Sequence, residues 1–167
     1  MAFPMAVVDA VAEAAGGKIG VGYRLSPDEE ETPGLRMADT LALIDALCNR
    51  PLAYIHLSTQ DRRHMSPLGE YDEAALSLVA KHLGDRLPLI GVGGVKTVED
   101  AKEVLAMGAD LVAIGRASIT EPEWPLNARV GKPLRLKFPR EGAADLLTLP
   151  RPLAEKMLNV PGWADVE

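Results

Sequence analysis

Apolar residues recur at helical spacing in four stretches, and four short apolar runs separate them. Residues 1–15 place Val7, Val8, Val11 and Ala15 on one face, and Gly16-Gly17 stops the pattern. Residues 36–49 repeat it with Met37, Leu41, Ile44 and Cys48, and residues 72–83 with Leu76, Val79 and Leu83. Residues 97–107 form a fourth predicted helix, with Thr97 as N-cap, Asp100 completing a capping box and Gly108 as the stop. Between these lie predicted strands at 18–26, 52–58, 87–92 and 110–115. Strands that alternate with helices imply a parallel sheet, so the reading is an α/β chain of four such units. Polar loops at 28–34 and 59–71 follow the first two strands, and a short helix is expected at 124–130. Beyond residue 131 the chain carries prolines at 133, 139, 150, 152 and 161. It divides into an ordered region, 1–131, and an irregular tail, 132–167, with one short helix near 153–158.

Composition narrows the function classes. The 167 residues include 18 basic and 24 acidic side chains, a net charge of −6, which argues against a general nucleic-acid binder. A hydrophobic fraction of 47% supports a folded core rather than disorder. No apolar run approaches the ~18 residues of a membrane span. Asp9 and Glu13 stand where a signal peptide would be basic or apolar, so a cytoplasmic protein is expected. Cys48 is the single cysteine, which excludes an internal disulfide, and no metal constellation is visible.

Candidate chemistry sits at the strand ends. Gly91-Val92-Gly93-Gly94 ends the third strand just before a capped helix, and Gly115-Arg116 ends the fourth. Glycines there let a phosphate approach free backbone N–H groups, and two such sites on neighbouring parallel strands converge on one phosphate. The competing reading is tight turns alone. Gly20, Gly22, Arg24 and Ser26 share one face of the first strand, which leaves room for a flat group beside a cation. Arg24 then either faces an electron-accepting ring or is buried against a carboxylate. His56 shares a strand face with Tyr54 and Ser58, as a substrate contact or as a hydrogen-bonded structural residue. The loop residues Asp28 to Glu31 read as solvated, as does His64, which lies with Arg62 and Arg63 in a long loop and whose other reading is nicotinamide or substrate binding; Cys48 reads as an inert core thiol.

Five segments carry a resemblance. Gly22-Tyr23-Arg24-Leu25-Ser26-Pro27, Tyr54-Ile55-His56-Leu57-Ser58, the glycine run ending at Gly94, the segment from Gly108 to Arg116, and Glu121-Pro122-Glu123-Trp124 resemble the C-terminal half of the old yellow enzyme family. These are FMN-dependent NADH:flavin oxidoreductases and ene-reductases on a TIM barrel. The resemblance implies that Arg24 contacts the pyrimidine side of the flavin. It also implies that the N–H groups of Gly93, Gly94, Gly115 and Arg116 hold the FMN phosphate, with the Arg116 side chain assisting. NAD(P)H would be the co-substrate, and a small activated alkene or other acceptor would take the hydride. The family's substrate-anchoring histidine pair and proton-donating tyrosine belong to the other half of the barrel and have no counterpart here.

A closed barrel needs eight strands and typically ~250 residues. Four strands leave raw edges and an uncovered face, at roughly 25 cal/mol per Å² of apolar surface left in water. The expectation is therefore a half-barrel completed as a homodimer or by a separate N-terminal half-barrel chain. Two other functions compete: a non-redox phosphate-binding half-barrel, and a truncated assembly module without catalysis.

Overall fold

Four short strands pair in parallel in chain order, β1-β2-β3-β4, in a computed structural model that describes residues 1–167. The elements are α1 (Ala2–Ala15), β1 (Gly22–Leu25), α2 (Met37–Leu47), β2 (Tyr54–Leu57), α3 (Ala75–Leu83), β3 (Leu89–Gly91), α4 (Val98–Ala106), β4 (Leu111–Val112), α5 (Arg116–Thr120), α6 (Trp124–Arg129), α7 (Ala143–Leu146) and α8 (Arg151–Asn159). All four expected strands are present, each shorter than its apolar run. Ladder pairing defines a strand, and residues 18–21 have no continuous partner: one bond, from the Ala53 N–H to the Val21 carbonyl at 2.7 Å, is their link to β2.

The chain forms two compact units, residues 1–94 with 102–113, and residues 95–101 with 114–167. The sheet lies in the first. The register sets Gly22 beside Tyr54, Arg24 beside His56, and His56 beside Ile90. Period-two alternation sends Ile55, Leu57 and Leu89 into the core, where Met37, Ile44 and Leu47 of α2 and Leu76, Val79 and Leu83 of α3 are also buried. Gly91 lets this layer close, because a Cβ there would lie 2.7 Å from a Val104 methyl carbon. Asp110 ties β3 to β4: its carboxylate accepts from the Leu89 N–H at 2.8 Å, and its own N–H donates to the Leu89 carbonyl at 2.9 Å.

Helix α1 behaves differently from its pattern. Val8 is buried, but Val7, Val11 and Phe3 are exposed, Phe3 by 80%. An apolar stripe is buried only where a surface meets it, and within this chain little meets α1. The outer edges of β1 and β4 are likewise unpaired.

In the second unit the tail carries more order than its prolines suggest. α8 covers the expected short helix. Together with α7 it encloses a core of its own, in which Phe138, Ala143, Leu147, Ala154 and Met157 are buried. Phe138 pairs with Val166 in an isolated parallel bridge. The Trp124 indole N–H donates to the Lys96 carbonyl at 2.8 Å, and Lys96 pairs with Asp165. Phe138 has no exposed surface, so Phe138→Ala is expected to destabilise this unit by about 3–5 kcal/mol. Loss of amide protection in 132–167 by hydrogen exchange checks this; unchanged protection contradicts it.

Candidate functional site

The C-terminal ends of parallel strands are where such sheets gather function, and the polar residues here do cluster there. Arg24 and His56 are register partners on the sheet face opposite the core. Arg24 is exposed, not buried as a carboxylate-paired guanidinium would be. It donates to the Ser58 hydroxyl and forms no ion pair. The space expected beside Gly22 is filled: a Cβ there would lie 2.1 Å from the Tyr54 ring, so that glycine makes room for a tyrosine rather than for a flat ligand.

His56 is half-buried, and its Nε2 is buried without a hydrogen-bond partner. Burial first, and the Arg24 charge second, lower its pKa below the ordinary 6.5. In the unfolded chain His56 binds its proton near that ordinary value; in the folded chain it binds it only at lower pH. The unfolded state therefore holds more protons in this window, and His56 costs the fold stability as pH falls through 6.5 towards the depressed value. An NMR titration of the imidazole is expected to give a midpoint below 6.5, and a midpoint at or above it contradicts this placement.

The loop after β2 is pinned to the end of β3. The Thr59 hydroxyl donates to the Val92 carbonyl at 2.6 Å. Arg62 and Arg63 both pair with Glu103, which holds that carboxyl below its usual range, through Arg63 first and Arg62 next. Gly93 has φ of 149°, and a Cβ there would lie 2.2 Å from the Arg62 amide nitrogen. Gly94 is left-handed at φ 63°. The N–H groups of Gly93 and Gly94 donate to no acceptor in the chain.

In the second unit the N–H groups of Gly115 and Arg116 are also free, at the start of α5, and nothing lies within 4 Å of where a Gly115 Cβ would be. The Arg116 side chain donates to the Gly162 carbonyl at 3.0 Å, so the tail engages the guanidinium. The Thr97–Asp100 capping box is present: the Thr97 N–H donates to the Asp100 carboxylate at 2.8 Å, and the Asp100 N–H to the Thr97 hydroxyl at 3.2 Å.

Two residues read as solvated are not. The Asp28 side chain is 1% exposed, and its Oδ1 lies 2.6 Å from His64 Nε2. Both line a cleft of about 480 Å³ beyond the ends of β1 and β2. Their positions differ by 36 residues, and no spacing rule marks the pair; the nearest signal is a carboxylate and an imidazole in the loops after consecutive strands. Among all residues no group of three or more His, Cys, Asp or Glu is placed to hold a metal ion, and no helix is long and apolar enough to cross a membrane.

The sequence profile of the NADH:flavin oxidoreductase / NADH oxidase family matches residues 1–135. A probable NADH-dependent flavin oxidoreductase YqiG of Bacillus subtilis is 37% identical over 98% of this chain and 45% of its own length. An NADH:fumarate oxidoreductase of Klebsiella pneumoniae is 35% identical over 90% of this chain and 17% of its own. The solved structure of morphinone reductase superposes with a TM-score of 0.61 at 32% identity, over 80% of this chain and 35% of that one. The chain thus spans less than half the length of these relatives.

Proposed function

This chain belongs to the NADH:flavin oxidoreductase / NADH oxidase family, and we propose that it is the FMN-binding part of an NAD(P)H-dependent flavin oxidoreductase. Its four parallel βα units are the C-terminal half of a TIM barrel. Arg24 carries the reading: an exposed guanidinium at the end of β1, inside the family match, with a hydroxyl as its partner and no carboxylate to neutralise it.

The residues present fit FMN. Within the first unit the free N–H groups of Gly93 and Gly94, and within the second those of Gly115 and Arg116, are each donors of the kind a phosphate accepts from. When bound, FMN would supply two-electron chemistry between NAD(P)H and an activated alkene or other acceptor. Arg24 orients the ring and favours negative charge on the side that faces it. His56, neutral near physiological pH beside Arg24, is the candidate substrate contact on this sheet face. The printed names of two relatives, oxidoreductases of fumarate and acrylate, support an activated alkene as the acceptor class.

The test is anaerobic mixing of the FMN-loaded protein with NADH. Bleaching of the flavin band, then its return on adding an activated alkene, is expected; a band that NADH does not bleach contradicts the reading. A further polypeptide completes the barrel across the free edges of β1 and β4, either a second copy of this chain or an N-terminal half-barrel. Exposed Leu111 on edge strand β4 fits such a contact. Light scattering of the purified chain is expected to give twice its 17.9 kDa, or its full mass with the partner present. A well-folded monomer that gains no partner contradicts this.

A further inference from the structure

Within the second unit, segment 160–167 engages the cations beside Gly115 and Arg116. The Arg116 guanidinium donates to the Gly162 carbonyl at 3.0 Å. Three residues further on, the Asp165 carboxylate pairs with Lys96. The charges that act on Asp165 are all cations, Lys96 first, then Arg116 and Lys137, and they hold its carboxyl below the usual range. A carbonyl and a carboxylate therefore stand against the side-chain donors that a phosphate would use, and both are oxygen acceptors, as a phosphate is.

The backbone of this segment is held in place. The Trp163 N–H donates to the Val160 carbonyl at 3.2 Å, closing a turn in which Gly162 has φ of 76°. The Lys156 ammonium lies 5.2 Å from the centroid of the Trp163 ring. The Phe138 N–H donates to the Asp165 carbonyl at 2.7 Å, and the Glu167 N–H to the Phe138 carbonyl at 3.1 Å, with the Phe138 side chain fully buried. The side-chain contact is weaker. Lys96 is 53% and Asp165 63% exposed, and an exposed pair of this kind contributes little. A carboxylate with a fixed root and a weak grip can be displaced by a more highly charged anion without unfolding the segment.

We infer that Asp165 is an internal competitor for an anion site at Arg116 and Lys96, so that segment 160–167 is an autoinhibitory strap that a phosphate group displaces. The inference rests on the proposed reading of Arg116 as a phosphate contact.

The test titrates the full chain with inorganic phosphate and, separately, with FMN, following the amide shifts of residues 115–116 and 162–166 by NMR. Asp165→Asn keeps the backbone ties to Phe138 and is expected to melt with the parent. It is expected to bind phosphate about three- to five-fold more tightly, the factor set by one exposed ion pair. Asp145→Asn, the same charge change on an exposed residue of α7, is expected to leave the affinity unchanged. Arg116→Gln is expected to weaken phosphate and to remove most of the gain from Asp165→Asn. No phosphate binding at residues 115–116, binding that Asp165→Asn leaves unchanged or weakens, or a gain that Asp145→Asn matches would each overturn the inference. The two probes separate the failures. Phosphate tightened by Asp165→Asn with no FMN bound keeps the strap and contradicts the flavin reading. FMN bound by the parent chain with no phosphate gain in Asp165→Asn keeps the flavin reading and overturns the strap.

Discussion

Gly93→Ala lowers the stability of the chain by about 3 kcal/mol, the larger of the two effects on the fold that Gly93 and Gly115 allow. A Cβ at residue 93 would lie 2.2 Å from the Arg62 amide nitrogen and 2.5 Å from the Asp61 carbonyl carbon. Both are backbone atoms, and their loop is tied down by Thr59 on Val92 and by Arg62 and Arg63 on Glu103, so neither side can yield without breaking a tie. The φ of 149° adds strain for any side chain. For a chain of this size the loss corresponds to a fall in Tm of about 6–12 °C. Gly115→Ala is the control: φ is −95° and nothing lies within 4 Å, so its melting point should stay with the parent. Calorimetry of the two variants decides, and equal melting points would mean the loop at Asp61 and Arg62 is free to move.

Arg24→Ala weakens FMN binding about 10- to 100-fold and leaves the fold intact. The range is that of one or two charge-assisted hydrogen bonds lost from a site that water does not fully replace. The fold is spared because the guanidinium is exposed and its partner is the Ser58 hydroxyl. Fluorescence titration with FMN measures the affinity. A second readout needs no flavin: the Arg24 charge is one of the two causes that lower the His56 pKa, so the His56 midpoint should rise in the variant while burial still holds it below 6.5. Unchanged FMN affinity would remove Arg24 from the flavin site, and an unchanged His56 midpoint would remove it from the neighbourhood of the imidazole.

Much of this geometry was legible before any coordinates. Arg24 and His56 each sit two residues before a serine on a short apolar run, so alternation alone placed each on its strand's polar face. Register then made them neighbours. Thr97 and Asp100 formed their capping box as spaced, because three residues is a local distance. What was not legible arises from contacts between distant segments. Asp28 is buried and is met by His64 from another loop. Gly22 reads as space for a ligand until the register brings Tyr54 over it. The core around Phe138 and Met157 is hidden by prolines that break the periodicity while leaving the apolar residues free to cluster. The α1 stripe errs in the opposite direction: its pattern promises burial, and this chain provides a surface for Val8 but not for Val7, Val11 or Phe3.

Whether this half-barrel binds FMN is decided by a visible absorption spectrum of the chain after incubation with FMN and gel filtration to remove free flavin. Flavin bands that travel with the protein peak are the predicted result. A colourless protein peak, with all the flavin recovered in the late fractions, would contradict the account.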